Sequence, residues 1–188
     1  MTQEIEIEYK NLLTKQEFNN LLDHLPFPAD AQKQTNYYFE TKDFSLKENG
    51  CALRIREKED TYHLTLKEPH PNGLLETHDI LTKQEAMNWI KGKNRVIKNA
   101  AKSLKQLQIS PESLIYYGSL ITERRELKYR EVLLVLDYSI FNGKSDYELE
   151  LEAPNEEIGL KTFERLLTQF QIPNRTTPNK IQRFFSSL

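Results

Sequence analysis

The chain has 188 residues, of which 38% are hydrophobic and 29% charged, and its formal net charge is -2. This length predicts one globular domain over residues 1–188, and the apolar content is too high for a disordered chain. Cys51 is the only cysteine, which excludes a disulfide framework and is typical of a reducing compartment. The near-neutral charge argues against a general nucleic-acid-binding protein.

Membrane and export signals are missing from the hydropathy pattern. The longest purely aliphatic run covers residues 132–136, far short of the roughly 20 residues that a membrane helix needs. The N-terminus is acidic and opens directly into patterned sequence, unlike a signal peptide. We therefore expect a cytoplasmic protein that binds neither membrane nor nucleic acid, and its oligomeric state stays open.

Alternating charged and apolar residues predict a first strand over residues 4–10. Thr14 and Glu17 then form a capping box that begins a short amphipathic helix, which Pro26 ends. Strand patterns follow at residues 36–39, 51–56, 62–67 and 74–81.

The second half of the chain continues this alternation of helices and strands. Thr82 and Glu85 form another capping box, and an apolar stripe over residues 96–107 predicts a further helix. Strands are predicted over residues 114–126, 132–138 and 146–152. A long helix follows with its apolar face over residues 158–170, and Asn179 caps a final turn.

Side chains of opposite character lie on the two faces of these strands. Short connections favour an antiparallel sheet, and about eight strands could close into a barrel. One face carries Glu4, Glu6, Glu8, Lys10, Arg54, Arg56, Thr65, Lys67, Thr122, Arg124, Glu148, Glu150 and Glu152. The other face carries Ile5, Ile7, Leu53, Ile55, Leu64, Leu66, Leu149 and Leu151.

The simplest interpretation of this alternation is a sheet with one solvated, charged face. Two observations favour an inverted arrangement. Acids come from the chain ends and bases from the middle, whereas solvated surfaces usually mix the signs. Three amphipathic helical regions also need an apolar surface to cover. The sequence therefore predicts an α+β fold with charge inside a barrel and helices outside.

A buried face lined with bases needs a compensating anion, and Arg and Lys bind phosphoryl oxygens well. Carboxylates that alternate along a strand are hard oxygen ligands suited to Mg2+ or Mn2+. Acids that hold a metal and bases that hold a phosphate chain are typical of phosphoryl transfer. The chain has only six glycines and contains no glycine-rich phosphate loop.

Several motifs in this order resemble the CYTH superfamily, the triphosphate tunnel metalloenzymes. The Glu-x-Glu-x-Lys hallmark of that family is similar to residues 6–10. The aromatic strand at 37–41, the Arg-x-Arg strand at 53–56 and the basic strand at 64–67 follow in the family's order. Arg124, Asp137 and the acidic strand at 148–150 complete the resemblance, with strand parity favouring Arg124 over Arg125.

The resemblance implies an eight-stranded antiparallel tunnel with a charged lumen and helices packed outside. It implies Mg2+ or Mn2+ as cofactor, with Glu6, Glu8, Glu148 and Glu150 as metal ligands. The implied phosphate-binding residues are Lys10, Arg54, Arg56, Lys67, Arg124 and Lys180. The implied catalytic residues are Glu6, Glu8, Lys10 and Lys67. Further candidates for the site are Glu4, Glu76, Asp137, Glu152 and Arg183.

The expected activity is metal-dependent hydrolysis of inorganic triphosphate or a related small triphosphorylated compound. A water molecule activated by the metal or positioned by an acid would attack the terminal phosphorus. Two alternatives stay open: a class IV-type adenylyl cyclase that converts ATP to cyclic AMP, and a non-catalytic sensor of polyphosphate or a nucleotide.

Overall fold

The structure, a computed structural model, describes residues 3–71, 73–93, 95 and 97–188. Its strands are β1 (Gln3–Glu6), β2 (Glu8–Leu13), β3 (Gln32–Thr41), β4 (Ala52–Lys58), β5 (Thr61–His70), β6 (Gly73–Leu81), β7 (Leu114–Tyr129), β8 (Val132–Phe141) and β9 (Lys144–Glu152). Its helices are α1 (Lys15–His24), α2 (Ser45–Glu48), α3 (Lys83–Ile90), α4 (Ala101–Gln106), α5 (Glu156–Gln169) and α6 (Lys180–Phe185). A 3₁₀ turn covers Pro111–Ser113.

The described strands form a nine-stranded sheet in the order β1-β6-β5-β4-β3-β7-β8-β9-β2. The predicted number of eight is therefore corrected to nine, because the single strand expected over residues 4–10 is divided at Ile7. The Ile7 carbonyl accepts a hydrogen bond from the Ala153 amide at 2.9 Å, just beyond the end of β9. Alternation of side chains continues through this residue while the pairing partner changes, so the pattern alone does not show the division.

The chain divides into two compact units. Unit 1 contains residues 34–120 together with β1 as far as Ile5, and unit 2 contains residues 6–33 and 121–188. In unit 1, β4 pairs with β3 and β5, and β5 pairs with β6, all antiparallel. In unit 2, β8 pairs with the C-terminal part of β7 and with β9, and β9 pairs with β2, again antiparallel.

The core of unit 1 lies on the apolar face of its strands. Leu53 and Ile55 of β4 and Leu64 and Leu66 of β5 are fully buried, as is Trp89 of α3. All belong to one apolar cluster that α3 and α4 cover. The capping box of α3 is formed as predicted, with Thr82 and Glu85 bonded reciprocally.

The core of unit 2 is built in the same way. Leu149 and Leu151 of β9 are buried in an apolar cluster to which α1 contributes Leu21 and α5 contributes Phe163 and Leu166. In each unit the helices therefore pack on the apolar face of the sheet, as the sequence predicted. The helices therefore leave the charged face of each unit uncovered by these two apolar clusters.

The helix predicted over residues 96–107 is shorter in the structure. Asp79 is buried on β6 and accepts hydrogen bonds from the backbone amides of Lys98 and Asn99 at 3.0 and 2.7 Å. These bonds hold the approach to α4 as a loop, because they occupy amides before the helix begins at Ala101. Val96 lies outside the described residues. No described helix is both long and apolar enough to cross a membrane.

Candidate functional site

The charged face of unit 2 is buried rather than solvated. Paired residues of neighbouring strands point to the same face, and the register pairs Arg124 with Asp137, Asp137 with Glu148, and Lys10 with Glu150. Asp137 and Glu148 are fully buried, and Glu150 and Arg124 are 7% and 8% exposed. This burial contradicts the interpretation of the sheet as a plain structure with a solvated charged face.

Arg124 holds two acids of this face. Its Nε and Nη2 donate to the two carboxylate oxygens of Asp137 at 2.9 and 2.7 Å, and Nη2 also donates to Glu150 Oε2 at 2.7 Å. Burial alone would raise the pKa of Glu150, but Lys180 and Arg124 hold it well below its ordinary value. The neighbouring Arg125 instead donates to the carbonyl of Ala29.

Lys180 supplies a second buried cation from the beginning of α6. Its Nζ lies 2.8 Å from Asp137 Oδ2, 2.9 Å from Glu148 Oε2 and 2.6 Å from Glu150 Oε1. Burial would lower the pKa of Lys180, yet the three carboxylates raise it above its ordinary value. The ammonium is therefore charged throughout the physiological range.

Arg183, one turn further along α6, clamps the acids at the start of β9. Its Nε donates to Asp146 Oδ2 at 2.8 Å, and its Nη2 donates to Glu148 Oε2. The other oxygen of this carboxylate, Glu148 Oε1, is buried and accepts no hydrogen bond. Burial raises the pKa of Glu148 despite the nearby cations. Glu148 thus offers one buried acceptor atom to a further ligand.

The N-terminal acids of the hallmark motif lie on β1 and β2. Glu6 and Glu8 are half-buried, and Lys10 Nζ donates to Glu8 and, at 2.6 Å, to Asn179 Oδ1. Burial and the charge of Glu6 raise the pKa of Glu152 to about 7. The side chain of Glu4 lies outside the described residues.

Carboxylates outnumber bases on the charged face of unit 2. The buried or half-buried acids are Glu6, Glu8, Asp137, Asp146, Glu148, Glu150 and Glu152, and the bases of similar burial are Lys10, Arg124, Lys180 and Arg183. The register also places Glu126, Lys128 and Lys144 on this face, where they are exposed. Among the described residues no three acidic, histidine or cysteine side chains already stand in a metal-ligating group. Several of these carboxylates instead contact Lys180 and Arg183. The donor chemistry nevertheless fits a hard divalent cation, since all the ligands are oxygens and Glu148 Oε1 has no partner.

The polar face of unit 1 is dominated by bases and hydrogen-bond donors. The register places Arg56 between Asn36 and His63, and Arg54 between Tyr38 and Thr65. Lys67 pairs with Glu76 on β6 and forms an ion pair with it. The predicted phosphate-binding residues Arg54, Arg56 and Lys67 therefore lie on one face of two adjacent strands.

Two histidines also belong to this face, which the sequence did not single out as a pair. His78 Nδ1 lies 3.1 Å from Thr65 Oγ1, and His78 Nε2 lies 3.5 Å from Glu76 Oε2. Burial, His78 and Arg56 together lower the pKa of His63. His63 is therefore neutral at physiological pH and adds no positive charge to this face.

Among the described residues, three buried donor atoms on the unit 1 face have no hydrogen-bond acceptor: Gln34 Nε2, Asn36 Nδ2 and Arg54 Nε. Sequence reasoning missed Gln34 and Asn36 because both precede the aromatic run of β3. Strand parity could have indicated them, because Gln34 and Asn36 point to the same face as Tyr38 and away from the face of Tyr37.

Comparison with known proteins agrees with this architecture. The CYTH domain family model matches residues 4–185. A protein of Bacillus subtilis strain 168, named "Putative triphosphatase YjbK", is 46% identical over 186 residues, which cover 98% of this chain and 96% of that protein. The chain belongs to the CYTH family.

Solved structures show the same fold. A crystal structure from Bacillus halodurans, described as a "putative adenylate cyclase", matches with a TM-score of 0.94 and 44% identity over 98% of this chain and 100% of that one. A protein from Hippeastrum described as a "putative adenylyl cyclase" with a dominant triphosphatase activity matches with a TM-score of 0.78 and 23% identity over 97% and 96% of the two chains. The predicted α+β fold class is confirmed.

Proposed function

We propose that this protein hydrolyses inorganic triphosphate, or a related small triphosphorylated compound, with the help of Mg2+ or Mn2+. The observation that carries the proposal is the burial of polar and charged side chains on the polar face of each unit. The face of unit 1 contains buried donors without acceptors, and the face of unit 2 contains surplus carboxylates with a buried acceptor at Glu148 Oε1. The first suits a phosphate chain, and the second suits a cation.

The bases named from the sequence bind the phosphate chain in this proposal. Arg54, Arg56 and Lys67 of unit 1 neutralise phosphoryl oxygens, and guanidinium groups can do so with two parallel hydrogen bonds. Lys10, Arg124 and Lys180 contribute from unit 2. Because these bases are buried or half-buried, their attraction for the anion is weakly screened by water and salt.

Carboxylates of unit 2 hold the cation, with Glu6, Glu8, Glu148 and Glu150 as its ligands. The bound metal supplies charge neutralisation and polarises a phosphoryl oxygen. Glu6 and Glu8 also position the attacking water and accept its proton, and Lys10 and Lys67 stabilise charge on the transferred phosphoryl group. No covalent nucleophile is needed, because the chain's residues bind, orient and neutralise the reactants.

The relatives support the general reaction. The Bacillus subtilis protein carries triphosphatase in its name at 46% identity, over nearly the full length of both chains. Its name leaves the substrate and the metal unstated, so the choice of inorganic triphosphate rests on the absence of a base-recognition motif in this sequence. The metal choice rests on the all-oxygen ligand set.

The test is phosphate release by purified protein from inorganic triphosphate, ATP and thiamine triphosphate, each with and without Mg2+ or Mn2+. A double Glu6→Ala/Glu8→Ala variant is the control for contaminating phosphatase. We expect metal-dependent release that the double variant loses, with inorganic triphosphate as the best substrate. Equal release by both proteins would contradict the proposal.

A second candidate is conversion of ATP to cyclic AMP, favoured by the description of the 44% identical Bacillus halodurans structure as an adenylate cyclase. The same bases and carboxylates would bind ATP and a divalent cation. The products separate the two reactions, because the cyclase releases pyrophosphate and cyclic AMP while the hydrolase releases orthophosphate. Tight binding of triphosphate without either product would instead indicate a sensor.

A further inference from the structure

We infer that Gln34 and Asn36 are substrate-binding residues, which donate hydrogen bonds from their side-chain amides to phosphoryl oxygens of the triphosphate. The inference rests on the proposed function and adds two neutral donors to the bases already named. Neither residue belongs to the charged motifs by which the sequence resembles its family.

The two amides are fixed on the face that carries the arginines. The register pairs Gln34 with Lys58 and Asn36 with Arg56, and Arg54 is paired two residues further on with Tyr38. Cross-strand partners share a face, so the amides and both arginines point to the same side of the sheet. Arg56 Nε donates to Asn36 Oδ1 at 3.1 Å, which assigns the nitrogen of this amide as the atom left over.

Burial makes these unused donors costly. Gln34 is 3% exposed and Asn36 is fully buried, yet Gln34 Nε2 and Asn36 Nδ2 have no acceptor, and neither does the neighbouring Arg54 Nε. A buried donor without a partner destabilises a protein, because it has lost its hydrogen bonds to water and gained none in return. Three such donors on one face of two adjacent strands indicate that their acceptors come from a bound molecule.

Two acceptors of β3 and β4 that lie near these donors in sequence are already used. Glu57 lies on β4 next to Arg56, but its carboxylate accepts from Tyr37 and Tyr62 at 2.6 and 2.9 Å on the opposite face. The Asn36 carbonyl oxygen is taken by Arg56. The missing acceptors therefore have to be rich in oxygen and compatible with adjacent arginines, which describes a phosphate chain.

Neutral amides have a distinct value beside a group of bases. An additional lysine or arginine would add repulsion between like charges in a poorly screened setting, whereas an amide adds a donor without charge. Gln34 and Asn36 thus contribute directional hydrogen bonds to the phosphate chain, while Arg54 and Arg56 contribute electrostatic attraction for it.

Two substitutions test the inference without removing the residues' bulk. Gln34→Met keeps the length of the side chain and deletes the donor. Asn36→Asp keeps the oxygen that Arg56 contacts and replaces the donor with an acceptor. Thr77→Val is the control, since Thr77 is a fully buried polar residue on β6 with the opposite parity to Glu76 and His78.

Each protein is titrated calorimetrically with inorganic triphosphate in the absence of divalent cations, so that binding is measured without turnover. We expect Gln34→Met to weaken binding about tenfold, the effect of one lost hydrogen bond to a charged group. We expect Asn36→Asp to weaken it more, because a carboxylate repels phosphate. Thr77→Val should bind like the wild type.

Thermal unfolding of the ligand-free proteins separates a binding role from a structural one. If Gln34 Nε2 has no partner without ligand, Gln34→Met melts at or above the wild-type temperature while it binds more weakly. Wild-type affinity in Gln34→Met and Asn36→Asp would overturn the inference, as would a lower melting temperature of Gln34→Met with undiminished affinity.

Titration of the wild type and an Arg54→Gln variant under the same conditions separates a failure of this inference from a failure of the proposed function. If the wild type binds triphosphate, Arg54→Gln loses binding and both amide variants keep it, only the inference on Gln34 and Asn36 is wrong. If the wild type itself does not bind triphosphate, the proposed function and the inference are both wrong.

Discussion

The ammonium of Lys180 lies 2.8 Å from the carboxylate of Asp137, and the side chains are 10% and 0% exposed. The contact joins the C-terminal helix α6 to the central strand β8 of unit 2, and the same ammonium reaches Glu148 and Glu150. Lys180 is thus an internal cation for three carboxylates. In the proposed reaction the Lys180 ammonium either keeps its contacts with these carboxylates beside the bound metal or moves to contact the substrate.

Replacement of Lys180 by Met should destabilise the protein, because three buried carboxylates lose their shared cation. The loss of one partner from a buried ion pair typically costs about 3–5 kcal/mol. Addition of Mn2+ should recover part of this loss, since a divalent cation supplies the missing charge. Chemical denaturation with and without Mn2+ measures both effects.

Lys161→Met, on the exposed side of α5, is the control for removal of a lysine charge. It should leave both the free energy of unfolding and its response to Mn2+ unchanged. A Lys180→Met protein as stable as the wild type would show that the network around Asp137 does not depend on this cation.

Replacement of Arg183 by Lys should raise the concentration of Mn2+ needed for half-maximal triphosphatase activity. Arg183 holds both Asp146 and Glu148, and a lysine cannot make these contacts with the same planar geometry. Changes to residues that orient metal ligands commonly cost about 10–100-fold in metal affinity or activity. The half-saturating Mn2+ concentration and kcat at saturating metal should be measured separately.

A shift in the metal requirement with kcat retained indicates that Arg183 positions Glu148. If instead kcat falls and the metal requirement is unchanged, Arg183 acts on the substrate and not on the ligand set.

Charge reversal of Arg56 to Glu should abolish binding of inorganic triphosphate. Arg56 lies on the face of unit 1 with Arg54 and Lys67, where a carboxylate would repel phosphoryl oxygens. Calorimetric titration measures this loss directly. Lys102→Glu makes the same charge change at an exposed position on α4 and should leave the affinity nearly unchanged. Equal binding by both variants would show that triphosphate does not use this face.

The ion pair between Glu17 and Arg175 should make stability depend on pH. Arg175 donates from both terminal nitrogens to the Glu17 carboxylate at 2.9 Å each, and the hydrogen bond from Arg175 lowers the pKa of Glu17. A carboxyl group with a lowered pKa stabilises the fold above its unfolded-state pKa, and this stabilisation is lost as the pH falls through the folded-state value.

We therefore expect Arg175→Ala to be about 1–3 kcal/mol less stable than the wild type at neutral pH. The difference should begin to shrink below about pH 4, where Glu17 of the unfolded chain takes up its proton, and should be lost as the pH falls through the lower pKa of the folded state. Urea denaturation of both proteins over this pH range provides the test. A difference that is constant with pH would mean that Arg175 stabilises the fold through its bond to the Leu12 carbonyl rather than through Glu17.

Much of the architecture could be predicted from the sequence because local rules and tertiary packing agree. The alternation in β4, β5 and β9 assigned their charged and apolar faces, and the capping boxes at Thr14 and Thr82 marked where helices begin. Segregation of acids and bases between strands then indicated that the charged face is buried.

The features that the sequence could not predict depend on pairing across long distances. The division at Ile7 leaves the side-chain alternation intact. The hydrogen bonds that hold residues 98–99 come from Asp79 on β6, which α3 separates from them in sequence. The contacts of Lys180 and Arg183 with acids of β8 and β9 also follow from how α6 docks, which one helical turn of sequence does not specify.

Release of orthophosphate from inorganic triphosphate as a function of Mn2+ concentration, measured for the wild type beside Glu148→Gln, tests the central claim most directly. Glu148→Gln keeps the size of the side chain and removes the charge of the carboxylate whose Oε1 is buried and accepts no hydrogen bond from the described residues. We expect metal-dependent release by the wild type and a greatly raised metal requirement or loss of activity in the variant. Metal-independent release, or identical metal curves for the two proteins, would contradict it.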